Sequence, residues 1–235
     1  MSVPIERGPY LLQDSSVNRE QDAESERRVE AAIAAVSRGE FVVVDDDEDR
    51  ENEGDLIMAA EFATAAKLNF MITYGRGLVC VAITPDRAFQ LRLPLMVKHN
   101  EDYLGTAFTV SVDGTSRHGV TTGISAADRA ATTSLIVHGQ ADDLRRPGHM
   151  FPLIAQPEGL MTRQGHTEAA VELASLAGAA PAGLLVEIIG ADGSMARLPD
   201  LLEFSAAHQL ELISIDDLVR YVGRTRRRQW TFSAG

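Results

Sequence analysis

The stretch Asp45–Asp55, DDDEDRENEGD, places eight carboxylates in eleven residues and cannot lie in a core. Apolar runs bracket it, Phe41–Val44 before and Leu56–Ala60 after. This predicts one buried strand that delivers the acids to a strand end and another that carries the chain away. Unit charges about 4 Å apart repel by roughly 1 kcal/mol in water and about 4 kcal/mol at a partly shielded site, so carboxylates held together favour a cation. The first candidate is a divalent metal. In an extended conformation Glu51, Glu53 and Asp55 share one face, and Arg50 and Asn52 the other. The alternative is a solvated acidic loop, against which stand the embedded Arg, Asn and Gly and the flanking strands.

A chain of 235 residues can form one large domain or two small ones around a sizeable core. Its formal charge of -12 repels phosphate backbones, which predicts no nucleic-acid partner. The exception is Arg224–Arg228, near Trp230, read as a basic C-terminal tail over 223–235. Cys80 is the single cysteine, and no N-terminal apolar stretch resembles a signal peptide or membrane span. A cytoplasmic protein away from membranes is the expectation.

Residues 1–23 are polar and aperiodic and read as a loosely attached arm, followed by a helix over Glu24–Arg38 that Gly39 ends. Thr64 caps a helix to about Tyr74, Leu78–Ile83 is a buried strand, and Pro85 opens a short helix to Leu91. Within that strand Cys80 reads first as a small hydrophobe. Lys98–Gly105 is a polar loop, and Thr106–Val112 alternates as a strand. Ser125 and Asp128 form a capping-box pattern for a helix to about Val137. Thr121, Thr122, Arg129 and Thr132 around its N-terminus suit an anion.

Arg145–Pro152, RRPGHMFP, predicts a rigid loop that presents His149. Arg163–Thr167, RQGHT, leads into an Ala-rich helix over Glu168–Ala177, with Thr167 as its N-cap. An Arg, a Gly that admits close backbone approach and a capping Thr at a positive helix end form a phosphate cradle, and His166 offers an imidazole to a metal. Glu187 interrupts the apolar strand Leu184–Ile189, and a carboxylate so flanked requires an ion pair or a function. A helix over Leu201–His208, a strand at Leu212 and Ile213 and a helix over Ile215–Val222 close the chain. Together these features suit a metal-dependent enzyme acting on a small phosphorylated compound. No Walker A loop, dinucleotide-binding glycine pattern or nucleophile elbow is present.

In this order, DDEDRENEGD, FMITYGRGLVC, TTGISAADRAATT, RRPGHMFPL, RQGHTEAAVEL and LLVEII closely resemble the 3,4-dihydroxy-2-butanone 4-phosphate synthase family of riboflavin biosynthesis. The resemblance spans residues 24–222. It implies a single α+β domain, a mixed β-sheet between helical layers, working as a homodimer with magnesium or manganese. The implied reaction converts ribulose 5-phosphate to 3,4-dihydroxy-2-butanone 4-phosphate and formate, a lyase reaction through metal-stabilised enediolate chemistry and a skeletal rearrangement. Carried over by position, Glu51 and His166 are the metal ligands, and Glu53 holds a metal-bound water. Arg50 and Asp55 contact sugar hydroxyls, while Arg163, Gln164, Gly165, His166 and Thr167 line the phosphate end. His149 and Glu187 are the catalytic pair, with Cys80 and Thr122 nearby, the threonine-rich segment across the dimer. Asp45–Asp47 are left to shape the loop. Some relatives carry a fused GTP cyclohydrolase II domain. This chain stops thirteen residues past Val222, which implies a monofunctional protein or a part of such a fusion. The alternatives are a metal-dependent sugar-phosphate isomerase or aldolase, separated by formate release, and a non-catalytic sugar-phosphate-binding homologue.

Overall fold

The two apolar runs beside the acidic stretch pair with each other, β1 (Val42–Asp45) antiparallel to β2 (Gly54–Ala59), with Asp45 opposite Gly54. In this computed structural model the described residues are 15–233, with side chains described over 22–226. The remaining strands are β3 (Cys80–Ile83), β4 (Val112–Gly114), β5 (Leu144–Ile154), β6 (Ala182–Glu187) and β7 (Glu211–Ser214). Their order is β4-β5-β3-β6-β2-β1-β7, with β3/β5 and β1/β7 parallel and the other pairs antiparallel.

The strands are apolar on both faces because helices cover both. Leu56, Met58, Val81 and Leu184 point into one core, and Ile57, Ala59, Ala82 and Leu185 into the other. The first core is closed by α2 (Ala65–Phe70), α3 (Pro85–Gln90), α4 (Ala126–His138) and α6 (Leu198–His208), through Leu68, Ala88, Ile136 and Leu201. The second is closed by α1 (Ser15–Ser37), α5 (His166–Leu176) and α7 (Ile215–Ser233), through Val29, Leu173 and Leu218. This is the expected mixed sheet between helical layers, an α+β domain. Helix α5 rests on β6 at Gly183, where a Cβ would stand 2.6 Å from the Ala170 Cβ. That close approach fixes the height of the α5 N-terminus above the sheet. No described helix is long and apolar enough to cross a membrane.

Local signals place several ends correctly. Thr64, Thr84 and Ser125 cap α2, α3 and α4 by accepting from the backbone N–H three residues on. Other boundaries differ. Helix α1 begins at Ser15, so 15–23 is helical rather than an arm, while residues 1–14 lie outside those described. Helix α7 continues past Val222 to Ser233. Its Arg224 pairs with Asp22 and Glu26, and Arg226 with Glu172, so the start of the basic segment is docked by charge. The side chains of Arg227, Arg228 and Trp230 lie outside those described.

Helix α2 gives way to a π-turn over Met71–Gly75, and the paired part of the next strand starts only at Cys80. The strand expected over Thr106–Val112 is reduced to single bridges at Phe108 and Thr109, and pairing begins at Val112. The largest difference is Arg145–Pro152, which is strand β5 and not a loop. Its register on β4 shifts between Val112 and Asp113. Gly148 fits there because a Cβ would meet the Val112 carbonyl carbon at 1.9 Å. The Pro and Gly that read as loop residues are those of an irregular strand.

Candidate active site

The acidic stretch turns tightly between β1 and β2, with Asn52 in the left-handed region (φ 54°). The buried Asp46 organises that turn. Its Oδ1 accepts from Glu53 N at 2.9 Å, and its Oδ2 from Arg50 Nη1 at 2.6 Å and Glu51 N at 3.3 Å. Because the segment turns instead of extending, Arg50 faces the same cavity as Glu51, Glu53 and Asp55 and not the opposite side. That cavity, about 270 Å³, lies on the α5 side of the sheet and is of a size for a small molecule.

Helix α5 brings His166 to its rim. The ring Nε2 bonds the Val44 carbonyl at 3.1 Å, which makes it the protonated nitrogen and turns Nδ1 toward Glu51 Oε2, 3.4 Å away. One donor atom each from Asp46, Glu51 and His166 lies within 4.8 Å of the others. Two carboxylates and one imidazole are hard and borderline donors, a set that suits magnesium or manganese. Burial acts to lower the basicity of His166, but the carboxylates of Asp55, Glu51 and Asp46 outweigh it and raise its pKa to about 9. Glu51 is held below its ordinary value because His166 and Arg50 outweigh its burial. Burial pushes Asp55 up to about 7, against the pull of His166, and raises Glu53 as well. Protons thus occupy a cluster whose charge asks for a cation.

Beside this cluster the N-cap of α5 is Gly165, not Thr167. Thr167 lies buried within the first turn and lines the cavity. A Cβ on Gly165 would stand 2.4 Å from Arg163 Nη1 and 2.8 Å from Arg50 Nη2. Glycine here lets two guanidiniums converge on a helix N-terminus, a strong anion position. Arg163 is held by Glu168 Oε2 at 2.6 Å, Thr106 Oγ1 at 3.0 Å and the Leu104 carbonyl at 3.1 Å. Glu168 and Thr106 escape a reading of the sequence, as does Asp46 as a member of the donor cluster. The folded geometry of the turn and of the α5 start reveals them.

Glu187, opposite Asp55 on the neighbouring strand, also lines the cavity. Its Oε2 accepts from Leu78 N at 2.8 Å, and Gly77 is required beside it because a Cβ would lie 2.3 Å from that oxygen. Cys80 lines the cavity with its thiol pushed well above its ordinary range by burial, which leaves it a small apolar wall.

Three expected site residues are elsewhere. Gln164 is exposed and faces a neighbouring hollow with Asp45–Asp49. Thr122 is exposed in the loop before α4. His149, on β5, does not line the cavity and pairs with Asp113. The anion position expected near Thr121 is filled from within. Asp128 accepts from Thr121 N, Thr121 Oγ1 and Gly123 N, and these bonds lower its pKa to about 2.

A donor cluster suited to a divalent cation, joined through Arg50 to a helix N-terminus where a second guanidinium converges, defines an enzyme site for a small anionic molecule. Residues 30–221 match the family described as 3,4-dihydroxy-2-butanone 4-phosphate synthase, and the chain belongs to that family. It is 56% identical over 195 residues to riboflavin biosynthesis protein RibBA of Synechocystis, covering 82% of this chain and 35% of that protein. It is 50% identical over 196 residues to the 3,4-dihydroxy-2-butanone 4-phosphate synthase of Cronobacter sakazakii, covering 83% and 89%. A crystal structure of a 3,4-dihydroxy-2-butanone 4-phosphate synthase with two magnesium ions superposes with a TM-score of 0.81 at 42% identity, over 84% of this chain and 97% of that one. The matched part spans 35 to 49% of the length of the RibBA relatives from Synechocystis and Aquifex aeolicus.

Proposed function

We propose that the chain converts ribulose 5-phosphate to 3,4-dihydroxy-2-butanone 4-phosphate and formate for riboflavin biosynthesis, in the cytoplasm. The supporting observation is that one cavity is lined by Glu51 and His166 of the donor cluster and by Arg50 and Arg163 at the α5 N-terminus, with the third donor, Asp46, buried behind Arg50. The two products together contain every atom of the substrate, so the reaction needs neither water nor an oxidant. Magnesium or manganese, when bound by Glu51, His166 and Asp46, supplies the Lewis acid that makes the proton beside the sugar carbonyl removable. Arg163, Gly165 and Thr167 anchor the phosphate. Arg50 and Asp55 orient the sugar hydroxyls, and Glu53 orders a water at the donor cluster. Glu187 removes and returns protons within the cavity, its second oxygen held by Leu78 N.

His149 shares that proton transfer from a second copy of the chain, because it lies outside the cavity of its own. Exposed Leu95, Met96, Val97 and Tyr103, next to the cavity-lining Asp102 and Leu104, supply apolar surface for a homodimer.

The direct test is formate release from ribulose 5-phosphate after chelation, with and without added magnesium. Magnesium-dependent formate equal to substrate consumed is the expected result. Substrate isomerised or cleaved without formate would point to an isomerase or aldolase, and saturable binding without turnover to a binding protein. The shared site has its own test: H149Q and E187Q homodimers are each inactive, and mixing them under subunit exchange restores turnover. Failure to complement would place His149 and Glu187 at the same site of one chain.

A further inference from the structure

We propose that Asp113 is the positioning residue for His149, fixing its imidazole in the Nδ1–H tautomer so that Nε2 is the basic nitrogen. This rests on the reading of His149 as a proton-transfer group. Asp113 is 1% exposed, and each of its two oxygens meets His149. Oδ1 accepts from His149 N at 2.9 Å, and Oδ2 lies 2.9 Å from His149 Nδ1. Arg145 Nη2 stands 3.4 Å from the same Oδ2 and donates to the Thr121 carbonyl at 2.9 Å. A carboxylate that already takes a backbone N–H and faces a guanidinium accepts from each partner, so Nδ1 must bring the hydrogen. Among the described residues no group bonds Nε2, and the side chain is 44% exposed, which leaves that nitrogen open to a substrate.

The surroundings are built for this pair. The register shift between Val112 and Asp113 is what turns Asp113 toward His149, and it needs Gly148 in the facing strand. Gly123 closes the other side, since a Cβ there would stand 2.1 Å from Asp113 Oδ2. A larger residue at either glycine would displace the carboxylate that the two strands enclose.

The asymmetry of the two bonds gives a specific test. In Asp113→Asn the backbone N–H of His149 keeps the one remaining oxygen, which sets the amide NH₂ against Nδ1. The imidazole must then accept at Nδ1 and carry its hydrogen on Nε2. The measurement is nitrogen NMR of the full chain labelled in histidine, with His149 assigned by the signals missing in H149Q, at a pH where the ring is neutral. The wild-type protein should show a protonated Nδ1 and a bare Nε2, and D113N the reverse. With that reversal the kcat for formate should fall by at least about 100-fold with KM little changed, the range of a lost general acid or base. A wild-type ring protonated on Nε2 overturns the proposal, as does a D113N enzyme with the reversed tautomer and undiminished kcat. The wild-type spectrum decides the tautomer even if D113N does not fold. Full turnover by H149Q would instead overturn the underlying catalytic reading of His149, a result that the spectrum cannot imitate.

Discussion

Glu51→Gln is expected to weaken magnesium binding by on the order of 100-fold or more and to remove formate production with it, while the fold persists. The charge of Glu51 is secured by Arg50, which bonds it at 2.5 Å, and by His166, 3.4 Å away. The substitution removes one anion from a crowded cluster and leaves the Arg50–Asp46 pair at 2.6 Å intact, so it should not destabilise the turn. Calorimetric titration with magnesium, beside a urea unfolding curve, separates the two effects. Unchanged magnesium affinity would remove Glu51 from the ligand set. The same titration carries a pH signature. His166, raised to about 9, holds a proton at neutral pH that a metal ion must displace. Magnesium affinity in the wild-type protein should therefore rise with pH up to about 9, with protons released on binding, and level off above it.

Glu187→Gln should lower turnover by about 100- to 10,000-fold and leave ribulose 5-phosphate binding within a few-fold, the pattern of a lost proton-transfer group. The amide oxygen can still accept from Leu78 N, so the side chain keeps its place at the cavity wall. The anion position at Gly165, with Arg50 and Arg163 converging on it, is untouched. Single-turnover formate measurements paired with calorimetric binding of the sugar phosphate make the comparison. Normal turnover by the variant would move the base elsewhere in the cavity, and Asp55, pushed up to about 7 by burial, would be the next carboxylate to replace.

Much of the architecture is legible because its causes are local. Strands β1, β2, β3 and β6 are built on apolar runs, since both sheet faces are covered, and a run of that kind needs no knowledge of its neighbours. Thr64, Thr84 and Ser125 mark helix starts through bonds that reach only three residues. Strand β5 is different. Pro147 and Gly148 deny it the signature of a strand, and only the facing Val112 and Asp113 explain why a strand there needs them. The N-cap of α5 fell to Gly165 and not to Thr167 for a similar reason. Two guanidiniums from separate segments occupy the space that a side chain at 165 would fill, and no local rule registers them.

The sequence by itself determined the inventory: the crowded acids, the RQGHT helix start, the lone carboxylate at Glu187 and the apolar strands that carry them. Composition and short periodicity decide such features, since burial and capping act within a few residues. The tertiary structure decided which of those groups meet. Val44 and His166, 122 positions apart, are joined by the hydrogen bond that aims Nδ1 at Glu51. The turn at Asn52 put Arg50 on the cavity side, and the irregular register of β4 on β5 gave His149 to Asp113 instead of to the cavity. Strand register and helix docking are fixed by contacts between distant segments, so the geometry of the site belongs to the fold and only its chemistry to the sequence.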